Sequence, residues 1–204
     1  PDKTARLLLQ CGNSAACAKA RPTGGTGPKD LRRERSRKFG LRSEIGWHQD
    51  WAFYPHTNDD LVTVGIYLDD CYEKNGPLTI IKNSHEGKLY SHHNSENFFV
   101  GKIDTKKNKI GIKNSVSITG TAGTVVFFHC RSIHGSGHNQ MNSSRPLILF
   151  GYRASDAWPL INDGNPHPEV DLDNYNKNII VGKNSLKPRL TKDTTIMQLP
   201  KKKK

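Results

Sequence analysis

At 204 residues, with 34% hydrophobic and 8% aromatic side chains, the chain can bury one core of useful size and leaves little room for several independent modules. A mean hydropathy of -0.69 and apolar runs no longer than a strand, such as Thr124 to Phe128, exclude a membrane-spanning helix and predict a soluble, cytoplasmic protein. The formal charge of +12 would suggest a nucleic-acid partner if it were spread over the fold, but it is not.

Residues 1–42 carry eleven Lys/Arg against three Asp/Glu, whereas residues 43–200, short of the Lys201 to Lys204 tail, are neutral. The run Arg32-Arg33-Glu34-Arg35-Ser36-Arg37-Lys38 has no interleaved aromatics and reads as solvated charge. No nucleic acid and no membrane is therefore expected as a partner; a small-molecule substrate is, and the oligomeric state is left open. Cys11, Cys17, Cys71 and Cys130 form no C-x-x-C pair and are too sparse for a disulfide framework, which predicts reduced thiols and no zinc cluster.

In chain order, residues 1–42 form a basic segment rich in Ala, Arg, Gly and Thr, with a linker-like stretch from Pro22 to Pro28. All nine histidines lie beyond it, so this segment is either a flexible arm or an out-of-frame coding stretch, and the fold is sought in residues 43–160. Strands are predicted over Ile45 to Asp50, Leu61 to Leu68, Leu78 to Lys82, Ser115 to Thr119, Thr124 to His129 and Leu147 to Tyr152. Val62, Val64, Ile66 and Leu68 alternate with Thr63, Gly65 and Tyr67, the period-2 signature of a strand with one face in a core. Asn75-Gly76-Pro77 is a turn by its own chemistry. Glu86 to Asn114 is polar and Lys/Asn-rich, a long loop fit to serve as a lid. Residues 161–204, with Pro166 and Pro168, are expected to wrap the domain and end in a Lys-rich tail. The pattern is that of an all-β sandwich or jelly roll.

The chemistry begins at Trp47-His48-Gln49-Asp50. On a strand, His48 and Asp50 project from one face and aim at one point. A bare His-x-acid pair is weak evidence, since nine histidines and nineteen acids among 204 residues give about one match by chance. The second match, His167-Pro168-Glu169, sits in a Pro-rich stretch unsuited to a central strand and has no histidine after it. The stronger signal is Phe127-Phe128-His129-Cys130-Arg131-Ser132-Ile133-His134-Gly135-Ser136-Gly137, followed by Arg145. Two imidazoles and one carboxylate on one face of a metal leave open positions, which suits Fe(II) oxygenases better than structural zinc. Arg145, eleven residues beyond His134, would return on a strand beside the metal and grip a carboxylate with its planar fork.

Other residues have plainer readings. His129 ends an apolar run and reads as a packed, hydrogen-bonded imidazole. His85, His92 and His93 read as solvated loop histidines, and His56 and His138 as pocket-edge residues at most. Trp51, Phe53 and Tyr54 line either a pocket or the core, with Tyr54 the candidate for a cosubstrate contact.

Taken in order, Trp47-His48-Gln49-Asp50, Leu68-Asp69-Asp70, Asn75-Gly76-Pro77-Leu78, Ser84-His85, Phe128-His129, His134-Gly135-Ser136-Gly137 and Arg145 resemble the phytanoyl-CoA dioxygenase family, from about Ile45 to Trp158. The resemblance implies a double-stranded β-helix, or cupin-like jelly roll, whose N-terminal part is incomplete or atypical. It implies Fe(II) held by His48, Asp50 and His134, and 2-oxoglutarate held by Arg145 and Ser136. It implies a dioxygenase that spends O2 to decarboxylate 2-oxoglutarate to succinate while hydroxylating an unactivated C–H of a small molecule. The intact Asp50 favours hydroxylation over halogenation. Two other readings are a truncated, inactive cupin-like metal-binding protein, which would bind metal without consuming 2-oxoglutarate, and a nucleic-acid-associated protein using residues 1–42.

Overall fold

Short segments rich in Val, Ile, Leu, Phe and Thr, separated by Gly, Pro and Asn, favour strands that bury one side and turn sharply at their ends. The computed structural model describes the backbone of residues 7–10 and residues 44–160, 179–183 and 185–191. Its strands are β1 (Leu7–Gln10), β2 (Ile45–His48), β3 (Leu61–Tyr67), β4 (Leu78–Ile81), β5 (Ser115–Ile118), β6 (Val125–His129), β7 (His134–Ser136) and β8 (Leu147–Ala154). The six predicted strands are present, each shifted by a residue or two at its ends, and β1 and β7 are additional. Among the described residues there is no α-helix, only single 3-10 turns, and no helix is long and apolar enough to cross a membrane.

The strands form two four-stranded sheets, β1-β8-β3-β6 and β2-β7-β4-β5, with antiparallel neighbours throughout. β1 pairs with β8, β2 with β7, β3 with β6 and β4 with β5, so the chain is one long hairpin rolled into two layers. This is the jelly roll, or double-stranded β-helix. β1 covers the outer edge of β8 along Gly151 to Ala154.

Two apolar clusters fill the space between the sheets. Tyr67, Cys71, Leu78, Val126 and Phe128 form one, with Ile80, Ile118 and Leu147 packed on it; Trp51, Leu61, Cys130 and Ala157 form the other. β3 buries mainly its odd-numbered side. Leu61, Thr63, Gly65 and Tyr67 are buried, as is Val64, while Val62 and Ile66 are half-buried and Leu68 lies exposed beyond the strand. The reason lies in the neighbours: above Gly65 the apolar bulk comes from Leu147 and Leu149 of β8, the Thr63 hydroxyl donates to Asp50, and the Tyr67 hydroxyl donates to the Ile118 carbonyl.

The loop from Lys82 to Asn114 folds back on β2, where the Ile103 amide donates to the Trp47 carbonyl at 2.8 Å. At the other end, Arg189 donates to Asp156 and Asp60, and the Thr191 amide to the Thr57 carbonyl, fastening residues 189–191 beside the start of β3. Asn75 and Gly76 form the expected turn. Gly76 has φ 70°, and a Cβ there would meet the Gly137 carbonyl oxygen at 2.5 Å.

β6 offers a direct test of facing, because Phe128 is buried and its neighbour Phe127 is 69% exposed. Phe128→Ala is expected to lower stability in urea unfolding by about 3–5 kcal/mol, and Phe127→Ser to change it by less than about 1 kcal/mol.

Candidate metal centre

Strand pairing sets the first two groups of the site. Ile45 faces Ser136 and His48 faces His134, so β2 spends three steps where β7 spends two. This bulge turns His48 directly opposite His134, and the imidazole centroids lie 4.1 Å apart. The strands can approach this closely because residue 135 is glycine: a Cβ on Gly135 would sit 2.7 Å from the Ile45 carbonyl oxygen. Gly135 thus carries a packing role that its place in a His-Gly-Ser run only hinted at.

Asp50 arrives differently from the sequence expectation. β2 ends at His48, and Asp50 opens a 3-10 turn, Asp50–Ala52, rather than continuing the strand. The Trp51 amide donates to the Cys130 carbonyl at 3.0 Å and pins the turn. The turn still returns the carboxylate to the imidazoles: Asp50 Oδ1 lies 3.6 Å from His48 Nε2 and 3.4 Å from His134 Nε2. Ligand atoms of these three residues all lie within 4.8 Å of one another, and among the described residues no other group of three or more His, Cys, Asp and Glu is so placed.

The surroundings fix each group for metal binding. His48 Nδ1 is 2.8 Å from the Gly46 carbonyl and His134 Nδ1 is 2.9 Å from the Ser132 carbonyl. A carbonyl only accepts, so each Nδ1 carries the proton and, in the neutral ring, Nε2 turns a lone pair to the centre. Asp50 Oδ2 accepts from the Thr63 hydroxyl at 2.7 Å, leaving Oδ1 for a cation. Burial by itself would raise the pKa of Asp50, but the adjacent His134 and His48 prevail and hold it well below the ordinary carboxylate range. Burial alone would lower that of His134, but the Asp50 carboxylate raises it. A buried anion between two imidazole lone pairs fits a divalent cation.

Arg145 lies in the turn before β8, not in the strand itself. Its guanidinium stands 5.8 Å above the Tyr67 ring, and its buried Nε and Nη1 have no hydrogen-bond partner. Tyr67 belongs to the same apolar cluster as Phe128, whose ring is 4.6 Å from that of His134. Unpartnered guanidinium donors on this inner cluster fit the carboxylate of a bound acid. Ser136, two residues beyond His134 on β7, projects from the same strand face. Tyr54 places its hydroxyl 3.4 Å from Thr63 Oγ1, on the Asp50 side of the centre, and burial and then the Asp50 charge raise its pKa.

The remaining histidines divide. His129 is half-buried, accepts the Arg131 amide at 3.2 Å and lies outside the ligand group, as a packed imidazole should. His56 is buried, with Nδ1 2.7 Å from the Tyr54 carbonyl. His92 overturns the expectation of a solvated loop residue: it is fully buried and accepts the Gln49 amide at 2.9 Å. Thr63, Gln49 and His92 are functional candidates that sequence reasoning missed. No local pattern marks them, because each gains its role from a contact made across the fold.

A jelly roll with two histidines and one carboxylate converging between its sheets belongs to the class of metal-centred β-helix proteins. The profile of the phytanoyl-CoA dioxygenase (PhyH) family matches residues 35–147, more than half of the chain, and the chain belongs to that family. It is 40% identical over 149 residues to the probable alpha-ketoglutarate-dependent hypophosphite dioxygenase of Stutzerimonas stutzeri, covering 72% of this chain and 50% of that one. It is 33% identical to the L-proline trans-4-hydroxylase of Streptomyces griseoviridis, over 55% of this chain and 49% of that one. It is 28% identical to the ectoine dioxygenase of Bordetella parapertussis, over 62% and 46%. The chain spans about half the length of these relatives.

Thr63→Val keeps the volume near Asp50 but removes the donor to Oδ2. It is expected to weaken Co(II) binding, followed by visible absorption, by about 10–100-fold.

Proposed function

We propose that this chain is a non-haem Fe(II)- and 2-oxoglutarate-dependent dioxygenase that hydroxylates an unactivated C–H of a small molecule, with decarboxylation of 2-oxoglutarate to succinate. The observation that carries this reading is the convergence of His48, Asp50 and His134 on one point; the Arg145 guanidinium over the Tyr67 ring, with its buried Nε and Nη1 unpartnered, supports it. The reading places this chemistry in residues 43–160, with residues 1–42 and 161–204 outside the catalytic core.

In this reading His48, Asp50 and His134 hold the iron, which supplies oxygen activation when bound. The Gly46 and Ser132 carbonyls keep both Nε2 atoms directed inward, and Thr63 keeps Asp50 turned so that one oxygen is offered. Arg145 and Ser136 receive the far carboxylate of 2-oxoglutarate. Burial of Nε and Nη1 would strengthen the guanidinium's grip, because a charge-assisted contact is stronger where solvent screens it less. Tyr54 backs Thr63 and Asp50, and we assign it to the cosubstrate side of the pocket on that proximity. The Phe53 ring meets His48 edge-on at 5.6 Å and supplies an apolar wall that limits water at the reacting centre. Cys71 and Cys130 are buried free thiols, which fits a reducing compartment such as the cytoplasm.

The names of the relatives make hypophosphite, L-proline and ectoine the first substrate panel, with succinate formation as the readout. The test that needs no substrate is anaerobic titration with Fe(II) and 2-oxoglutarate, which should give the weak visible charge-transfer band of the chelate. His134→Ala is expected to abolish the band. Arg145→Ala should raise the 2-oxoglutarate concentration needed by about 10–100-fold, the loss of a charge-assisted bidentate contact. Iron-loaded, folded protein without a band would instead indicate an inactive cupin-like metal-binding protein.

A further inference from the structure

The segment from Lys88 to Val100 is bolted to the residue that separates two of the proposed ligands. Gln49, 0% exposed, lies between His48 and Asp50. Its backbone amide donates to His92 Nε2 at 2.9 Å. Its side-chain nitrogen donates to the Lys88 carbonyl at 3.2 Å and the Arg131 carbonyl at 2.8 Å, and its side-chain oxygen accepts the Tyr90 amide at 2.9 Å. One side chain thus joins the loop to the chain that leads through Ser132 to His134.

His92 completes the joint. Its Nδ1 is 2.9 Å from the Tyr90 carbonyl, which assigns the proton to Nδ1 and leaves Nε2 as the acceptor that Gln49 uses. The ring is 0% exposed, stacks on Phe99 with an interplanar angle of 19°, and meets Phe53 edge-on at 6.2 Å; Phe53 in turn meets His48. The Val100 amide returns to the His92 carbonyl at 2.9 Å and closes this part of the loop on itself. A histidine that served only as filler would not need this tautomer, nor an acceptor aimed at the backbone between two ligands.

We propose that His92 and Gln49 are a positioning pair that makes the seating of residues 88–100 and the convergence of His48 and Asp50 a single event, so that metal binding closes the loop and the seated loop tightens the metal. The proposal rests on the metal-centre reading above. By linkage, whatever factor the seated loop adds to metal affinity, the metal adds to loop closure.

Co(II) serves as the probe, since its visible absorption reports binding without 2-oxoglutarate, oxygen or substrate. In the wild type, saturating Co(II) is expected to slow amide hydrogen exchange in residues 88–100 at least ten-fold, together with that of residues 45–50. His92→Phe keeps the ring and its stacking but removes the acceptor. It should weaken Co(II) binding at least ten-fold and abolish the metal-dependent protection of 88–100, and His92→Gln, which restores an acceptor at that reach, should recover most of both. If Co(II) protects 45–50 but leaves 88–100 unchanged in the wild type, loop and metal are independent and the proposal falls; this measurement stands even where a variant does not fold. It falls equally if His92→Phe lowers Tm by the same amount with and without Co(II) while affinity is unchanged, which is the behaviour of a packing residue. Wild-type protein that binds no Co(II) at all would overturn the metal-centre reading itself.

Discussion

His48 and His134 stand opposite each other because β2 and β7 pair with one extra residue in β2, and everything at the centre depends on that register. Without the bulge, the pairing that sets Ile45 against Ser136 would slide His48 past His134, and the imidazoles would no longer share a point. Gly135 permits the approach of the backbones, and the carbonyls of Gly46 and Ser132 lock the two rings from behind. Asp50 then needs only a single turn to bring its carboxylate into the remaining gap.

Much of this was readable from residue types alone. Runs rich in β-branched, aliphatic and aromatic residues mark β3, β6 and β8, which are the longest strands among the described residues. The ligand candidates were legible as well: the His-x-Asp pair and the later histidine that the sequence singled out come together at one point. β7 was not legible: three residues, one of them glycine, carry no periodicity, and the strand exists only because β2 and β4 flank it. Which side of β3 is buried was not legible either. A period of two marks a strand without saying which side is buried, and here Thr63 and Tyr67 lie inside because their hydroxyls find partners there, Asp50 and the Ile118 carbonyl.

His92 shows the same limit from the other side. A histidine in a Lys- and Asn-rich loop has every local mark of a solvated residue, yet the loop carries it onto Gln49, where its acceptor satisfies an amide that burial would otherwise strand. Gln49, His56, Asn58, Asn75 and His92 are all fully buried and polar, and each is hydrogen-bonded to backbone. Such residues add little net stability, but they penalise any arrangement of the loops that leaves them unpaired. The polar interior therefore selects one loop arrangement among several that apolar packing alone would tolerate.

The rolled-hairpin topology also sets when the centre comes into being. His48 and His134 are separated by most of the domain, so their pairing is among the last contacts that a growing or refolding chain can make, after the strands between them have found their partners. An unfolded or half-rolled chain holds the same three side chains but not the same point in space, so a cation held by them would bind the closed roll in preference to everything before it. At a free concentration a thousand times its dissociation constant, that preference adds about 4 kcal/mol to the closed state, comparable with the whole stability of a marginal domain. The supply of that metal would then govern how much of this chain persists in folded form.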